Sequence, residues 1–172
     1  MEKGYIHLYT GNGKGKTTAA LGLALRAAGA GLRIWIGQFV KGREYSEHLA
    51  LKRYDDCITV KRFGRKCFIE GTPEQQDIQS ARDGLKEAAE ELESRNYDMV
   101  ILDEACIALH FNLFSIQDLL AVMERKPEPV ELVITGRNAP RELIDCANLV
   151  TEMKEVKHYY TSGVQARKGI EE

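Results

Sequence analysis

Apolar residues fall in short runs, and the segments between most of them are helix-like. Tyr5–Tyr9 (YIHLY), Leu32–Phe39 (LRIWIGQF), Ile58–Phe63 (ITVKRF), Tyr97–Leu102 (YDMVIL), Val130–Ile134 and Leu149–Met153 read as strands. Ala19–Ala28, rich in Ala and Leu, reads as a helix stopped by Gly29–Gly31. Ser46–Tyr54 predicts a short helix. Pro73–Asn96 predicts a long amphipathic one, with Pro73 near its start and Ile78, Ala81, Leu85, Ala88 and Leu92 along one face. Ser115 with Asp118 marks a helix start before Ile116–Arg125, and Pro140–Cys146 predicts a last short helix. Strands separated by helices predict an α/β chain with a mostly parallel sheet covered on both faces. There is no internal repeat or low-complexity linker, and 172 residues suit a single domain, 1–172, with a proper core.

Composition mainly excludes. A formal charge of −2 offers no electrostatic case for nucleic acid or an acidic membrane surface. No apolar run approaches the roughly 20 residues that span a bilayer. The N-terminal MEKGYIHLYT lacks a signal-peptide pattern. Cys57, Cys67, Cys106 and Cys146 are spread without a C-x-x-C pair, which predicts reduced, mostly packed thiols of a cytoplasmic protein. His7, His48, His110 and His158 show no metal-ligand spacing.

The chemistry enters at Thr10–Thr18, TGNGKGKTT, between the first strand and the first helix. Strand, Gly-rich loop and helix form the context of a phosphate-binding loop. Glycines let successive N–H groups curl around an anion, and the helix N-terminus adds its positive dipole end. The predicted phosphate contacts are Gly11, Asn12, Gly13, Lys14, Gly15, Lys16, Thr17 and Thr18, with Lys16 on the phosphates and the Thr17 hydroxyl on magnesium. The usual G-x-x-x-x-G-K-T pattern would put its first glycine at Thr10; here that glycine is Gly11, and the loop is one residue tighter. The expected fold class is accordingly a RecA-like P-loop NTPase fold.

Three further segments lie at predicted strand ends, where ligands of such sheets bind. Asp103-Glu104 follows YDMVIL, the expected form of the acidic site that completes magnesium binding, although an acid there also suits a helix cap. Arg137 in VITGR is a planar donor suited to phosphate, or a solvated loop arginine. Lys41 in GQFVKG fits either a phosphate or second-substrate contact or an exposed turn, and the adjacent Phe39 and Val40 fit a pocket wall, core or interface. No convincing nucleophile–base pair appears.

TGNGKGKTTAALG, GQFVKG, DMVILDE, ELVITGRNAP, LVTEM and VKHYYTSGVQARKGIE occur in this order, and together the chain resembles the P-loop corrinoid adenosyltransferases from Gly4 to Glu171. The resemblance implies transfer of the 5′-deoxyadenosyl group of ATP to cobalt(I) of a reduced corrinoid, with release of triphosphate. It implies Lys16, Thr17, Glu104 and Arg137 as catalytic residues. Magnesium or manganese would be held by Thr17 and Glu104, with Asp103 as supporting acid. It also implies nucleotide lying reversed relative to ordinary P-loop NTPases. For the corrinoid, the loop Gly64–Thr72 supplies Phe68, with Ile69 beside it, to displace the lower axial ligand; some relatives carry Trp in this segment and this chain does not. His158 fits a structural or subunit contact rather than a cobalt ligand. A homodimer, a cytoplasmic location and a flavoprotein reductant follow from the same resemblance. Longer relatives have an N-terminal extension over the site, so this chain is expected to present a more open corrinoid site or one covered by other loops. From the residues alone, an ATPase or kinase cleaving the γ-phosphate and a non-catalytic ATP- or corrinoid-binding module stay open.

Overall fold

The computed structural model describes residues 2–65 and 71–171. Six strands form one sheet: β1 (Ile6–Thr10), β2 (Ile34–Phe39), β3 (Ile58–Phe63), β4 (Met99–Asp103), β5 (Glu131–Thr135) and β6 (Leu149–Glu152). Their order is β3-β2-β4-β5-β1-β6, and every neighbouring pair is parallel. The helices are α1 (Lys16–Gly29), α2 (Ser46–Leu51), α3 (Gln75–Ser94), α4 (Ala105–His110), α5 (Ile116–Glu124) and α6 (Arg141–Cys146).

The sheet is apolar on both faces because helices cover both. On β4, Val100 and Leu102 point to one side, into a core shared with Trp35, Leu132, Ile134 and the α3 residues Ala81, Leu85, Ala88 and Leu92. Met99 and Ile101 point to the other, against Ala20, Ala24 and Ala27 of α1. Fully burying such a large apolar side chain stabilises by about 1.5–3 kcal/mol. The small side chains of α1 let its backbone approach the central strands closely. That approach sets where the loop before it meets the sheet.

The register decides the rest. Tyr9 pairs with Thr135, Leu102 with Ile134, and Gln38 with Asp103. The carboxyl ends of β1, β2, β4 and β5 therefore finish at one edge, where a parallel sheet binds its ligands. At the opposite end, Lys126 donates to the carbonyls of Gly4, Pro127 and Val130 at 2.9, 3.0 and 2.9 Å, tying the N-terminal segment to the start of β5.

All six predicted strands are present, and the predicted helices appear with ends trimmed by a few residues; the end of the Ser46–Tyr54 segment is a 3₁₀ turn over Lys52–Tyr54. Helix α4 was not anticipated. Its sequence, ACIALH, is apolar but for the exposed His110 at its end, and six residues are too few for a 3.6-residue alternation to mark it. Phe39 is core, packed on Phe63 and Phe114. The thiols are less packed than composition suggested: Cys106 is buried, Cys57 half-buried and Cys146 exposed, all three unbridged. Cys67 lies outside the described residues. Beyond β6 the chain runs over the surface, with one 3₁₀ turn at Tyr159–Ser162.

Candidate nucleotide and metal site

The loop between β1 and α1 is closed against Met153. Gly13 donates its N–H to the Met153 carbonyl at 2.7 Å, and a Cβ on Gly13 would lie 2.7 Å from that same oxygen. Gly15 stands just before α1 at φ 123°, a conformation closed to other residues without strain. Helix α1 then begins with no side-chain cap and no acid in its first turn. Its first N–H groups are left to an anion, and the dipole favours one. Lys16 is buried, and its ammonium donates to the carbonyls of Gly11 and Gly13 at 2.7 and 2.8 Å. Burial pulls its pKa below the usual lysine value, against the attraction of Glu104 and Asp103. This ammonium is spanned by its own loop, where a bound phosphate oxygen could replace two neutral carbonyls.

Asp103 ends β4 and is essentially inaccessible, 1% exposed. Thr17 and Thr135 donate their hydroxyls to its Oδ1 at 2.9 and 2.7 Å; Gln38 and Lys41 donate to its Oδ2 at 3.0 and 2.8 Å. Burial works against ionisation, but Lys41 and these hydrogen bonds outweigh it and hold the carboxyl below its ordinary pKa. The network continues outward. The Tyr45 N–H donates to His48 Nδ1, so His48 carries its proton on Nε2 and donates it to Gln38 Oε1. Gln38 thereby has one amide orientation and points its NH₂ at Asp103.

The consequence for a metal is direct. Four donors occupy the lone pairs of Asp103, leaving none to coordinate a cation. Thr17 spends its hydrogen on Asp103 and accepts a long contact from the Lys41 ammonium at 3.4 Å, which leaves one hydroxyl lone pair free. Glu104 is set in the left-handed region at φ 59°, with its N–H given to Thr135 Oγ1 at 3.0 Å. Among the described residues no donor reaches its carboxylate, and burial together with the Asp103 charge raises its pKa. Thr17 and Glu104 therefore fit a hard divalent cation, with Asp103 orienting Thr17. No group of three or more His, Cys, Asp or Glu among the described residues could hold a metal by itself. That suits magnesium, which takes one or two protein ligands and completes its shell with phosphate and water.

The fold thus gathers Lys16, Thr17, Asp103 and Glu104. Arg137 follows Gly136 at the end of β5; it is exposed, and its charge is felt at both Lys16 and Glu104. Gly11, Gly13 and Gly15 shape the loop; Asn12 and Thr18 sit exposed on it and on the first turn of α1. Lys14 points elsewhere: its ammonium meets Glu171 at 2.6 Å, the Ile170 carbonyl at 3.0 Å and Tyr159 Oη at 3.1 Å. His158 accepts the Tyr160 N–H beside the Tyr159 ring. Phe68 and Ile69 lie outside the described residues. Sequence reasoning missed Gln38, His48 and Thr135. A glutamine inside the otherwise apolar IWIGQF was the one available signal, since a buried amide requires partners.

A glycine loop opening a helix, a lysine in it, and an acid at the next-but-one strand holding the loop threonine together define a P-loop nucleotide-binding protein. The sequence profile described as ATP:corrinoid adenosyltransferase BtuR/CobO/CobP matches residues 2–171. Similar proteins include corrinoid adenosyltransferases of Pseudomonas aeruginosa, Sinorhizobium sp. and Escherichia coli. They are 34%, 35% and 33% identical, over 99% of this chain and 84%, 81% and 86% of theirs. The chain belongs to the ATP:corrinoid adenosyltransferase family, and is an enzyme of that class.

Proposed function

We propose that the chain transfers the 5′-deoxyadenosyl group of ATP to cobalt(I) of a reduced corrinoid substrate by the following division of labour. Cobalt(I) attacks the ribose 5′ carbon, the bond from that carbon to oxygen breaks, and triphosphate leaves with the electron pair. The nucleophile comes with the corrinoid, so the protein needs no activated Ser, Cys or His. The thiol that feels Glu104 and Lys16 supports this: Cys106 is pushed up to about 12 by burial and the Glu104 charge, far from a usable thiolate.

The chain's own task is to hold the 5′ carbon in place and neutralise the departing triphosphate. Lys16 exchanges the Gly11 and Gly13 carbonyls for triphosphate oxygens, beside the uncapped start of α1. Arg137 adds a second positive contact. Magnesium or manganese, when bound, neutralises triphosphate charge; Thr17 and Glu104 hold it, and Asp103 keeps the Thr17 hydroxyl turned the right way. The observation that carries the reading is the saturation of Asp103, which among the described residues leaves the Glu104 carboxylate and the remaining lone pair of Thr17 as oxygen donors beside the loop.

The chain works as one domain in a cytoplasmic homodimer and receives its electron from a flavoprotein. Leu149 and Val150, 43% and 40% exposed on edge strand β6, support a protein partner. Among the described residues no helix is long and apolar enough to cross a membrane. Phe68 remains the first choice for displacing the lower axial ligand.

The test is anaerobic. Protein, ATP, magnesium and chemically reduced cobalamin are mixed; the visible spectrum is followed, and triphosphate and ADP are assayed. A light-sensitive adenosyl–cobalt spectrum with matching triphosphate is expected. ADP and phosphate without a cobalt–carbon bond would establish γ-phosphate cleavage instead. Light scattering should return twice the 19.4 kDa chain mass.

A further inference from the structure

Lys41 sits where the acid site would meet a cation. Its ammonium lies 2.8 Å from Asp103 Oδ2 and 3.4 Å from Thr17 Oγ1, and it attracts Glu104 as well. The backbone is contorted to put it there. Val40, a β-branched residue, stands at φ 58° in the left-handed region, where its side chain is strained. Its N–H is pinned to the Phe63 carbonyl at 2.9 Å, and the Lys41 backbone passes so near Gly64 that a Cβ there would lie 2.7 Å from the Lys41 nitrogen. Strain of this kind persists where the surroundings enforce it, and here it serves to aim one ammonium into an otherwise buried carboxylate network.

We propose that Lys41 is the resident counter-ion of the acid site, standing in the way of a bare divalent cation and yielding only when triphosphate arrives with it. The proposal rests on the assignment of Thr17 and Glu104 to the metal. A divalent cation held by those two side chains brings its charge against the Lys41 ammonium at a few ångströms. Among the described residues the carboxylates that attract the ammonium are Asp103, Glu104 and Glu47, the first two belonging to the acid site itself, so without nucleotide the ammonium stays there and a cation is repelled. With nucleotide, the triphosphate offers Lys41 new oxygens, and cation and ammonium each gain a partner. Lys41 is thus a positioning and selectivity residue: it couples cation binding to triphosphate binding and admits the metal–nucleotide complex as a unit.

The test titrates Mn²⁺ into the full chain and follows the free-ion electron paramagnetic resonance signal, with and without ATP. Lys41→Met should bind Mn²⁺ without nucleotide at least about tenfold more tightly than the unsubstituted protein, since a like charge has gone. Lys41→Gln, which still donates to Asp103, should show the same gain and serves if Lys41→Met does not fold. Lys41→Arg keeps the charge and should bind as weakly as the parent. The factor by which ATP raises Mn²⁺ affinity should shrink in the two neutral variants only. Equal nucleotide-free affinity in parent and neutral variants, or an arginine variant as tight as the methionine one, would overturn the proposal. Glu104→Gln separates the two readings: if it leaves Mn²⁺ affinity in the presence of ATP unchanged, the metal assignment itself fails.

Discussion

Asp103 and Glu104 are adjacent in sequence, yet the fold treats their charges in opposite ways. Asp103 is saturated by donors and titrates below its ordinary value. Its contribution to stability is present above the unfolded value of about 3.9 and is lost as pH falls through the lower folded one. Glu104 has no donor among the described residues and titrates above its ordinary value, through burial first and the Asp103 charge second. Its ionised form is therefore a cost in the folded, cation-free protein, incurred as pH rises from about 4.3 through the raised value. Glu104→Gln should accordingly raise the melting temperature of the cation-free protein at pH 7 by about 2–4 °C, the shift expected for roughly 1 kcal/mol in a chain of this size. The gain should vanish near pH 4, while binding of the metal–ATP complex is lost. A lowered melting temperature at pH 7 would show that Glu104 has a stabilising partner. For Lys16→Ala, loss of its charge opposite the leaving triphosphate should reduce turnover by at least about 10²–10³-fold, the scale of a removed preorganised donor. Near-normal rates of adenosyl–cobalt formation would remove the loop from the reaction.

The phosphate loop is an element only in combination with the segment after β6. Gly13 gives its N–H to Met153, and Met153 gives its own to Thr10, so the loop is held in the same ladder that joins β1 to β6. Gly13→Ala places a methyl group against backbone oxygens of Met153 and Lys154, and backbone cannot turn aside as a side chain can. The loop should shift as a body. ATP affinity, measured by calorimetry, should fall at least tenfold, while urea unfolding should show a loss of only about 1–3 kcal/mol. Unchanged ATP affinity would mean that the loop takes its binding shape independently of Met153.

On the scale of the whole molecule, the C-terminal segment is the part least supported by the core. Residues 154–171 are nearly all exposed, and they are fastened to the loop by Lys14 through Glu171, Tyr159 and the Ile170 carbonyl. Arg167 joins the same carboxylate at 3.3 Å. Exposed ion pairs of this sort contribute only about 0–1 kcal/mol each, and less as salt rises. The segment should therefore open well before the sheet does. Limited trypsin digestion of the nucleotide-free protein should cut first after Lys157, Arg167 or Lys168. Lys14→Met should speed that cleavage several-fold, and raised salt should act in the same direction on the parent. Cleavage that starts instead in the sheet or in α3 would contradict this ranking.

The elements and part of the site are written locally. Apolar runs mark six strands, and composition, caps, stops and the repeat along Pro73–Asn96 mark five of the six helices, because all of these are properties of adjacent residues. The glycine loop, Lys16 and Thr17 are legible for the same reason: one short segment carries both the turn and the ligand groups. Helix α4 is hidden because six residues, five of them apolar, are too few to show a 3.6-residue repeat. What the chain could not state locally is which strand ends meet. The order β3-β2-β4-β5-β1-β6 brings Gln38, Lys41, Thr135 and Thr17 onto Asp103 from three separate segments. Hydrogen bonds act over about 3 Å, whereas these partners lie 32 to 86 residues from Asp103 along the chain. Which acid is saturated, which is left for a cation, and where the Lys41 charge stands are therefore decided only when the sheet closes its register.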